Sequence, residues 1–368
     1  MSIRNGKIPL IPDIAGITKA VCETFAKDKK LHPIFELLQR NFITDSVSDP
    51  NIEFILSHIR SLMVVAGKDT VRGLSLEQLK EIDAAICAEI EQIVDKLHLD
   101  EKSPYHHLAN WINSIPREHP ISVFTTNYDL LIEQAFETTR TPFFDGFSGS
   151  RNAFFDLQAV EEDVIPNRWV RLWKLHGSIN WFQSANGKIS RSSFPPPNSV
   201  SRLIHPSHLK YDESRRMPFL VMIDRLRALL KQPTSLLVLS GYSFGDEHLN
   251  EVIIQGLQAN PSSMAFALLY GDLENYEMAV SLASTQTNLT LLAFDKGVVG
   301  GIPAHWAEIE EGGQLPLSEK WLKNVSKDDE STKTARTELH LGDFAVFGEF
   351  LKVISGIREK ISNEEEDE

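Results

Sequence analysis

Apolar residues recur every three or four positions through a long early part of the chain. That spacing is typical of amphipathic helices with one buried face. Ser75 and Gln78 have the spacing of a capping box at the start of one of these helices. Helices are therefore predicted at 14–26, 34–42, 52–65, 76–97 and 106–115.

After residue 120 the pattern changes to short apolar runs that alternate with helical periods. Such alternation predicts a parallel sheet covered by helices on both faces. An Asn186-Gly187 pair between two apolar runs predicts a hairpin. Predicted strands lie at 121–124, 236–240, 265–270 and 289–294, and predicted helices at 130–136, 214–231, 247–257 and 274–283.

These patterns divide the chain into three parts and give an α/β fold class. Residues 1–309 are expected to form one Rossmann-like domain, with a helical subdomain inserted at about 34–118. The polar stretch 310–340 is expected to be a linker. In 341–368, apolar residues mark one face of a helix at 344–361, and an acidic tail follows.

Small or hydrogen-bonding residues stand at the end of three predicted strands. The three stretches are Ile121–Asp129, Trp169–Ser178 and Ser235–Asp246. In an open α/β sheet, ligands bind at the carboxyl ends of the strands. The sequence therefore predicts one cleft, assembled from parts of the chain that are far apart in sequence.

The composition of the chain restricts which partners the protein is expected to bind and where in the cell it is expected to be. A net charge of -14 over 368 residues opposes non-specific nucleic-acid binding. Cys22 and Cys87 are the only cysteines and form no Cys-x-x-Cys pair, so a cysteine-rich zinc module is excluded and a disulfide framework is not expected. No apolar run reaches the roughly 18 residues of a membrane span, and no signal peptide opens the sequence. A cytoplasmic location is expected.

Three motifs resemble those of the sirtuin family in their order and approximate spacing. They are Thr126-Asn127-Tyr128-Asp129, Lys174-Leu175-His176-Gly177 and Ser240-Gly241-Tyr242-Ser243. The Gly6–Pro9 segment resembles the loop that follows the family's glycine-rich turn. More narrowly, the chain is similar to the sirtuin-like domain of bacterial anti-phage proteins that hydrolyse NAD, over about residues 6–306.

The residue types suit cleavage of the nicotinamide–ribose bond, which builds positive charge on the sugar carbon. Asn127 can hold a water or a ribose hydroxyl, and His176 can take a proton near neutral pH. The resemblance implies that these two residues are catalytic. The residues expected to bind NAD are Asp129, Thr126, Gly241, Ser243 and Pro9.

Simpler roles compete with these assignments. A histidine at a strand end is more often structural than a base, and Asn127, Asp129 and Asp246 can each cap the helix that follows. Gly241 and Gly245 can serve only as turn residues. His205 and His208 have the spacing of a metal pair but lack a third ligand nearby.

The chain departs from the family in two respects. It lacks the zinc-binding cysteines of protein-deacylating sirtuins, which argues against deacylation and against a zinc cofactor. It also lacks the glycine-rich turn that cradles the NAD pyrophosphate. We therefore expect that the reading frame starts upstream of Met1. A stop codon immediately upstream, in frame, would refute this, and the form that starts at Met1 would then turn over NAD weakly or not at all.

The expected function is hydrolysis of NAD to ADP-ribose and nicotinamide in bacterial defence against phage. The resemblance also implies a large homo-oligomer and, in some relatives, a hexameric HerA-type translocase ATPase as partner. Two alternatives stay open. The same cleft can serve a deacylase or an ADP-ribosyltransferase, or the chain can be a non-catalytic module that binds NAD or ADP-ribose and regulates a partner.

Overall fold

The computed structural model describes residues 4–5, 8–67, 69–96, 102–114, 116–184, 186–196, 199–204, 218–307, 321–327 and 334–356. Helices and strands alternate along these residues, which confirms the α/β class. Their buried apolar side chains form two large clusters. One cluster lies in the helical first part and reaches the first parallel strands, and the other lies around the later strands. None of the helices described is both long and apolar enough to cross a membrane.

The first part of the chain is mainly helical, as its apolar periodicity predicts. The predicted capping box is present: Ser75 accepts from the backbone N–H of Gln78, and the Gln78 side chain accepts from the Ser75 N–H. Both cysteines are free thiols. The helices are α1 Ile14–Lys27, α2 His32–Thr44, α3 Ile52–Ala66, α4 Leu76–Val94 and α5 Pro104–Ser114, with two short hairpins, β1 Arg4–Asn5 with β2 Ile8–Pro9 and β3 Thr70–Val71 with β4 Leu74–Ser75.

The parallel strands form two sheets among the described residues, whereas the sequence pattern predicts one. The first sheet has the order β5 Ser122–Thr125, β9 Val170–Lys174, β6 Phe143–Phe144. The second has the order β13 Leu236–Ser240, β14 Met264–Leu268, β15 Leu289–Leu292, β16 Lys296–Val299, β17 Ile302–His305, and its last two strands run antiparallel.

Two sheets form instead of one because β5 and β13 each lie at the edge of a separate sheet. β5 is paired with β9, and β13 with β14, and neither has a second partner within the described ranges. Leu236 and Val238, on one face of β13, are 58% and 44% exposed. An interior strand of a doubly wound sheet is covered on both faces, so β13 has the exposure of an edge strand.

A third, antiparallel sheet carries the strand that follows His176. Its order is β12 Ser199–Ile204, β10 Gly177–Ser184, β11 Ile189–Arg191, β8 Ala153–Phe155, β7 Phe147–Ser148. The hairpin predicted at Asn186-Gly187 is confirmed, because it joins β10 and β11, and Gly187 has a φ of 78°. Trp181 of β10 is fully buried.

Apart from a short helix at 157–162 that the sequence pattern did not predict, the remaining helices begin and end within a few residues of their predicted bounds, a scatter typical of helix termini. The helix predicted from residue 214 is described from residue 218 onwards. The bounds are α6 Leu131–Thr138, α7 Leu157–Glu162, α8 Phe219–Lys231, α9 Glu247–Ala259 and α10 Glu277–Thr285, with a 3₁₀ turn at Leu273–Asn275 before α10.

The carboxy-terminal part contains more structure than the predicted linker and helix. Within 310–340, β18 Leu322–Lys327 and β19 Thr334–Leu339 pair antiparallel. The helix predicted at 344–361 is observed as α11 Phe344–Ile354. It packs on α5, with the rings of Phe344 and Tyr105 4.9 Å apart between centroids. Gly348 permits this approach, because a Cβ there would lie 2.8 Å from the Cα of Pro104.

Candidate active site

The register of two adjacent strands sets the two predicted catalytic residues side by side. Thr125 of β5 pairs with Lys174 of β9 in parallel. Asn127 and His176 each follow two residues later, so both leave the same edge of the sheet at the same level. Both side chains are only partly exposed. This edge is the carboxyl end of the strands, where α/β sheets bind ligands.

The side chain of His176 is held by a carboxylate from the turn after β13. Its Nε2 lies 3.1 Å from Oδ2 of Asp246, and the two side chains are 17% and 11% exposed. The other oxygen of Asp246 accepts from the backbone N–H of Leu249 at 3.1 Å and so caps α9. The predicted capping role is confirmed, but Asp246 also joins the ends of the two parallel sheets. When the Asp246 carboxylate is the acceptor, Nε2 is the donor of this hydrogen bond, and Nδ1 is the ring nitrogen left to take a proton.

Asn250 of α9 holds the turn at 241–246 through two hydrogen bonds. The hydroxyl of Tyr242 donates to Oδ1 of Asn250 at 2.7 Å, and Nδ2 of Asn250 donates to the Phe244 carbonyl at 2.8 Å. Gly241 has a φ of 71°, a value that glycine adopts without strain. Gly241 and Ser243 are exposed. The turn that carries Asp246 therefore exposes a glycine backbone position and a hydroxyl.

Asn127 is anchored through its main chain. Its backbone N–H donates to Oγ1 of Thr125 at 3.1 Å. Burial raises the pKa of Tyr105 in α5 well above its ordinary value, and the nearby Asn127 side chain opposes that rise. Thr126, which is expected to contact NAD, lies between Thr125 and Asn127 in the chain and is half-buried.

Asp129 has a structural role at the start of α6. Its Oδ1 accepts from the backbone N–H of Leu131 at 3.0 Å, and its side chain is buried. The carbonyl oxygen of Asp129 accepts from Nζ of Lys174, which also donates to Glu133 at 2.8 Å. Burial raises the pKa of the Glu133 carboxyl, and the charge of Lys174 opposes that rise. Contact of Asp129 with nicotinamide stays a prediction.

The helical first part also reaches this edge of the sheet. The hydroxyl of Tyr128 donates to the carboxylate of Glu53 in α3. Burial, with the nearby Glu53 charge next, raises the pKa of Tyr128 well above its ordinary value. The Tyr128 carbonyl accepts from the backbone N–H of Ile179 at 3.0 Å. The loop after β5 is thus bonded to β10.

Two further predictions concern Pro9 and the candidate metal pair. Pro9 lies in β2, paired with Arg4, and its contact with NAD stays a prediction. His205 and His208 fall outside the described residues. Within the ranges that the structure covers, no three His, Cys, Asp or Glu side chains are grouped as metal ligands.

Sequence reasoning missed three groups that shape the site. These are Asp246 as the partner of His176, Tyr105 as a neighbour of Asn127, and Glu53 as the partner of Tyr128. The helical period around Glu53 and Tyr105 indicated only buried and exposed faces. The one available signal was the Gly-Tyr-Ser-x-x-Asp spacing, which marks Asp246 as part of the turn.

The family comparison agrees with this part of the structure. Residues 121–288 match the SIR2-like domain family, a span that begins one residue before β5 and ends just before β15. The matched residues include the first parallel sheet and the strands β13 and β14 of the second, and this similarity supports a sirtuin-like protein. Domains of this type are generally NAD-dependent enzymes, so a role that involves NAD is indicated. A comparison with curated proteins gives no match.

Proposed function

We propose that this protein hydrolyses NAD to ADP-ribose and nicotinamide in bacterial defence against phage. The observation that carries the proposal is the placement of Asn127 and His176 two residues beyond the paired Thr125 and Lys174. An amide, an imidazole and, from the third strand end, the Ser243 hydroxyl suit a ribose and a carboxamide as ligands. The SIR2-like match over the same strands supports NAD as the substrate.

The reaction breaks one bond and forms one. The bond between ribose C1′ and the nicotinamide nitrogen breaks, and its electron pair leaves with nicotinamide. A water oxygen bonds to C1′, and the water gives up a proton. In the proposal, Nδ1 of His176 takes that proton, while Asp246 on Nε2 stabilises the imidazolium that results.

Asn127 has the complementary duty of orienting the attacking water or a ribose hydroxyl, since a side-chain amide offers both a donor and an acceptor. Thr126, Asp129, Gly241, Ser243 and Pro9 would bind the rest of the dinucleotide. No step requires a metal ion or zinc.

Product analysis separates hydrolysis from the enzymatic alternatives. Purified protein incubated with NAD is expected to release nicotinamide and ADP-ribose in equal amounts, as measured by chromatography. An acetylated peptide should leave the rate unchanged. Nicotinamide release that depends on the peptide would identify a deacylase instead, and ADP-ribose attached to protein would identify a transferase.

A binding module is separated from an enzyme by the variant Asn127→Ala combined with His176→Ala. Phage should form fewer plaques on cells that produce the wild-type chain, and these cells should lose NAD after infection. The double variant should lose both effects while its melting temperature stays close to the wild-type value. Protection that persists in the double variant would show that the chain regulates a partner without chemistry.

Self-association and a HerA-type ATPase partner belong to the same proposal. Ile43, Val64 and Val65 of the helical part are 77%, 80% and 68% exposed, which favours contact with another protein surface. We expect light scattering to give a mass of several subunits. A monomer at micromolar concentration would contradict this part of the proposal.

A further inference from the structure

Phe244, in the turn after β13, has a backbone conformation that residues with a side chain ordinarily avoid. Its φ is 60°, in the left-handed region, and its side chain is 2% exposed. A non-glycine residue keeps such a conformation only where surrounding contacts hold it, and such positions cluster at functional sites. Asp246, which bonds to His176 at 3.1 Å, follows two residues later. The direction of the chain at Phe244 therefore decides where the Asp246 carboxylate lies.

Asn250 supplies contacts that hold this conformation. It is the fourth residue of α9 and is 6% exposed. Its Nδ2 donates to the Phe244 carbonyl at 2.8 Å, and its Oδ1 accepts from the Tyr242 hydroxyl at 2.7 Å. Because a backbone carbonyl only accepts hydrogen bonds, the NH₂ end of the amide must face Phe244 and the oxygen must face Tyr242. The amide is therefore used at both ends, on the two residues that flank Ser243.

The start of α9 also holds Asp246 directly. The backbone N–H of Asn250 donates to the Asp246 carbonyl at 2.9 Å, and Oδ1 of Asp246 accepts from the Leu249 N–H at 3.1 Å. The other carboxylate oxygen, Oδ2, is then directed to Nε2 of His176. The side chain of Asn250 thus reaches His176 through the short backbone segment from Phe244 to Asp246.

We propose that Asn250 is a positioning residue, which holds the left-handed conformation of Phe244 and so keeps the Asp246 carboxylate on Nε2 of His176. Its kinetic effect rests on the proposed NAD hydrolysis, in which Nδ1 of His176 takes a proton from water. The position of the carboxylate is a property of the chain without substrate.

The variant Asn250→Leu tests the proposal, because it keeps the approximate size of the side chain and removes both of its hydrogen bonds. We expect kcat for nicotinamide release to fall about tenfold, the size of a lost hydrogen bond to a buried group. In an Asp246→Asn background, Asn250→Leu should lower the remaining rate no further, because Asn250 acts through Asp246. An unchanged kcat, or an equal fall in both backgrounds, would overturn the proposal.

A second variant, Asn250→Ala, keeps the test decisive if Asn250→Leu does not fold. It removes the same two hydrogen bonds and leaves room for water beside the Phe244 carbonyl and the Tyr242 hydroxyl. Its kcat should also fall, since water in that space does not fix the backbone. A wild-type kcat in Asn250→Ala would overturn the proposal as well.

Asn288→Leu is the matched control. Nδ2 of Asn288 donates to the carbonyls of Ser263 at 2.8 Å and Leu257 at 3.1 Å. Asn288 directly precedes β15, at the amino end of the same parallel strands and so opposite the turn that carries Asp246. Asn288→Leu therefore loses an asparagine amide that binds backbone carbonyls, as Asn250→Leu does. Its melting temperature should fall, and its kcat should equal that of the wild type.

A measurement without NAD distinguishes failure of this inference from failure of the proposed function. In protein labelled with ¹⁵N-histidine, the ring signals of His176 are assigned by their loss in His176→Ala. At pH 8, where an imidazole is ordinarily neutral, the wild-type ring should carry its proton on Nε2. Asn250→Leu should populate both tautomers, whereas Asn288→Leu should match the wild type.

These signals decide the role of Asn250 whatever the activity. If the wild type releases no nicotinamide, the hydrolase proposal fails, and the His176 tautomer alone tests the positioning role. A wild-type ring protonated on Nδ1, or His176 signals that are the same in the wild type and Asn250→Leu, would overturn the inference.

Discussion

Replacing His176 by alanine is expected to lower the rate of nicotinamide release by about 10²–10⁴-fold, the usual contribution of a positioned general base. Asp246→Asn should lower the same rate on the order of 10²-fold, although it only replaces one carboxylate oxygen by an NH₂ group. An asparagine amide at that position donates to Nε2, which moves the imidazole proton to Nδ1 and leaves the base in the wrong tautomer. Steady-state kinetics of purified variants provide the measurement.

The Asp246→Asn substitution separates catalysis from folding. Asparagine caps helices as well as aspartate does, so the bond from the Leu249 N–H to residue 246 is kept. Asp13→Asn, at the equivalent cap of α1, is the control and should leave the rate unchanged. The pair His176→Ala with Asp246→Asn should be no slower than His176→Ala alone. Full activity of Asp246→Asn would remove Asp246 from the mechanism.

Breaking the buried ion pair between Glu133 and Lys174 should cause the largest loss of stability. Lys174 is 1% exposed and Glu133 12% exposed, with 2.8 Å between Nζ and Oε1. Either Lys174→Met or Glu133→Ala leaves a buried charge without its partner, which typically costs about 3–5 kcal/mol. The double variant Glu133→Leu with Lys174→Met should lose much less stability than the two single variants lose in total. Urea unfolding followed by circular dichroism measures these free energies.

The pH dependence of Lys174→Met gives an independent check. Burial raises the pKa of Glu133 even when Lys174 is present, and removing Lys174 raises it further. A carboxyl whose pKa is raised by folding favours the folded state when protonated, so the stability that Lys174→Met loses should be partly regained as pH falls from 8 to 5. Arg40→Met removes an exposed pair with Glu36 and should change the free energy of unfolding by less than about 1 kcal/mol at either pH. If Lys174→Met lowered the free energy of unfolding as little as Arg40→Met does, the assignment of Glu133 and Lys174 as a stabilising buried ion pair would be wrong.

Local patterns in the sequence were sufficient to predict the elements but not their long-range partners. Apolar periodicity located α1, α3 and α9 to within a few residues, because one buried face is a local property. Polar residues at strand ends predicted the edge that Asn127 and His176 share. Both results depend on spacing within a single element or on a general rule for parallel sheets.

The partners of those residues depend on tertiary packing. Asp246 lies seventy positions after His176, and Tyr105 belongs to a helix whose period indicates only a buried face. The two parallel sheets are separate because β5 pairs only with β9 and β13 only with β14 among the described residues, and residue alternation does not encode these partners. Within the stretch predicted as a linker, the antiparallel pair β18–β19 was missed because polar composition conceals pairing between strands.

The packing of α11 on α5 also bears on how the chain folds during synthesis. The two helices are separated by most of the polypeptide, so their contact has high sequence separation and forms late. The domain that contains both parallel sheets leaves the ribosome before residues 344–354 do. The face of α5 beside Tyr105 is then uncovered until residues 344–354 have been synthesised. Tyr105 should gain its contact with Phe344 only after that step.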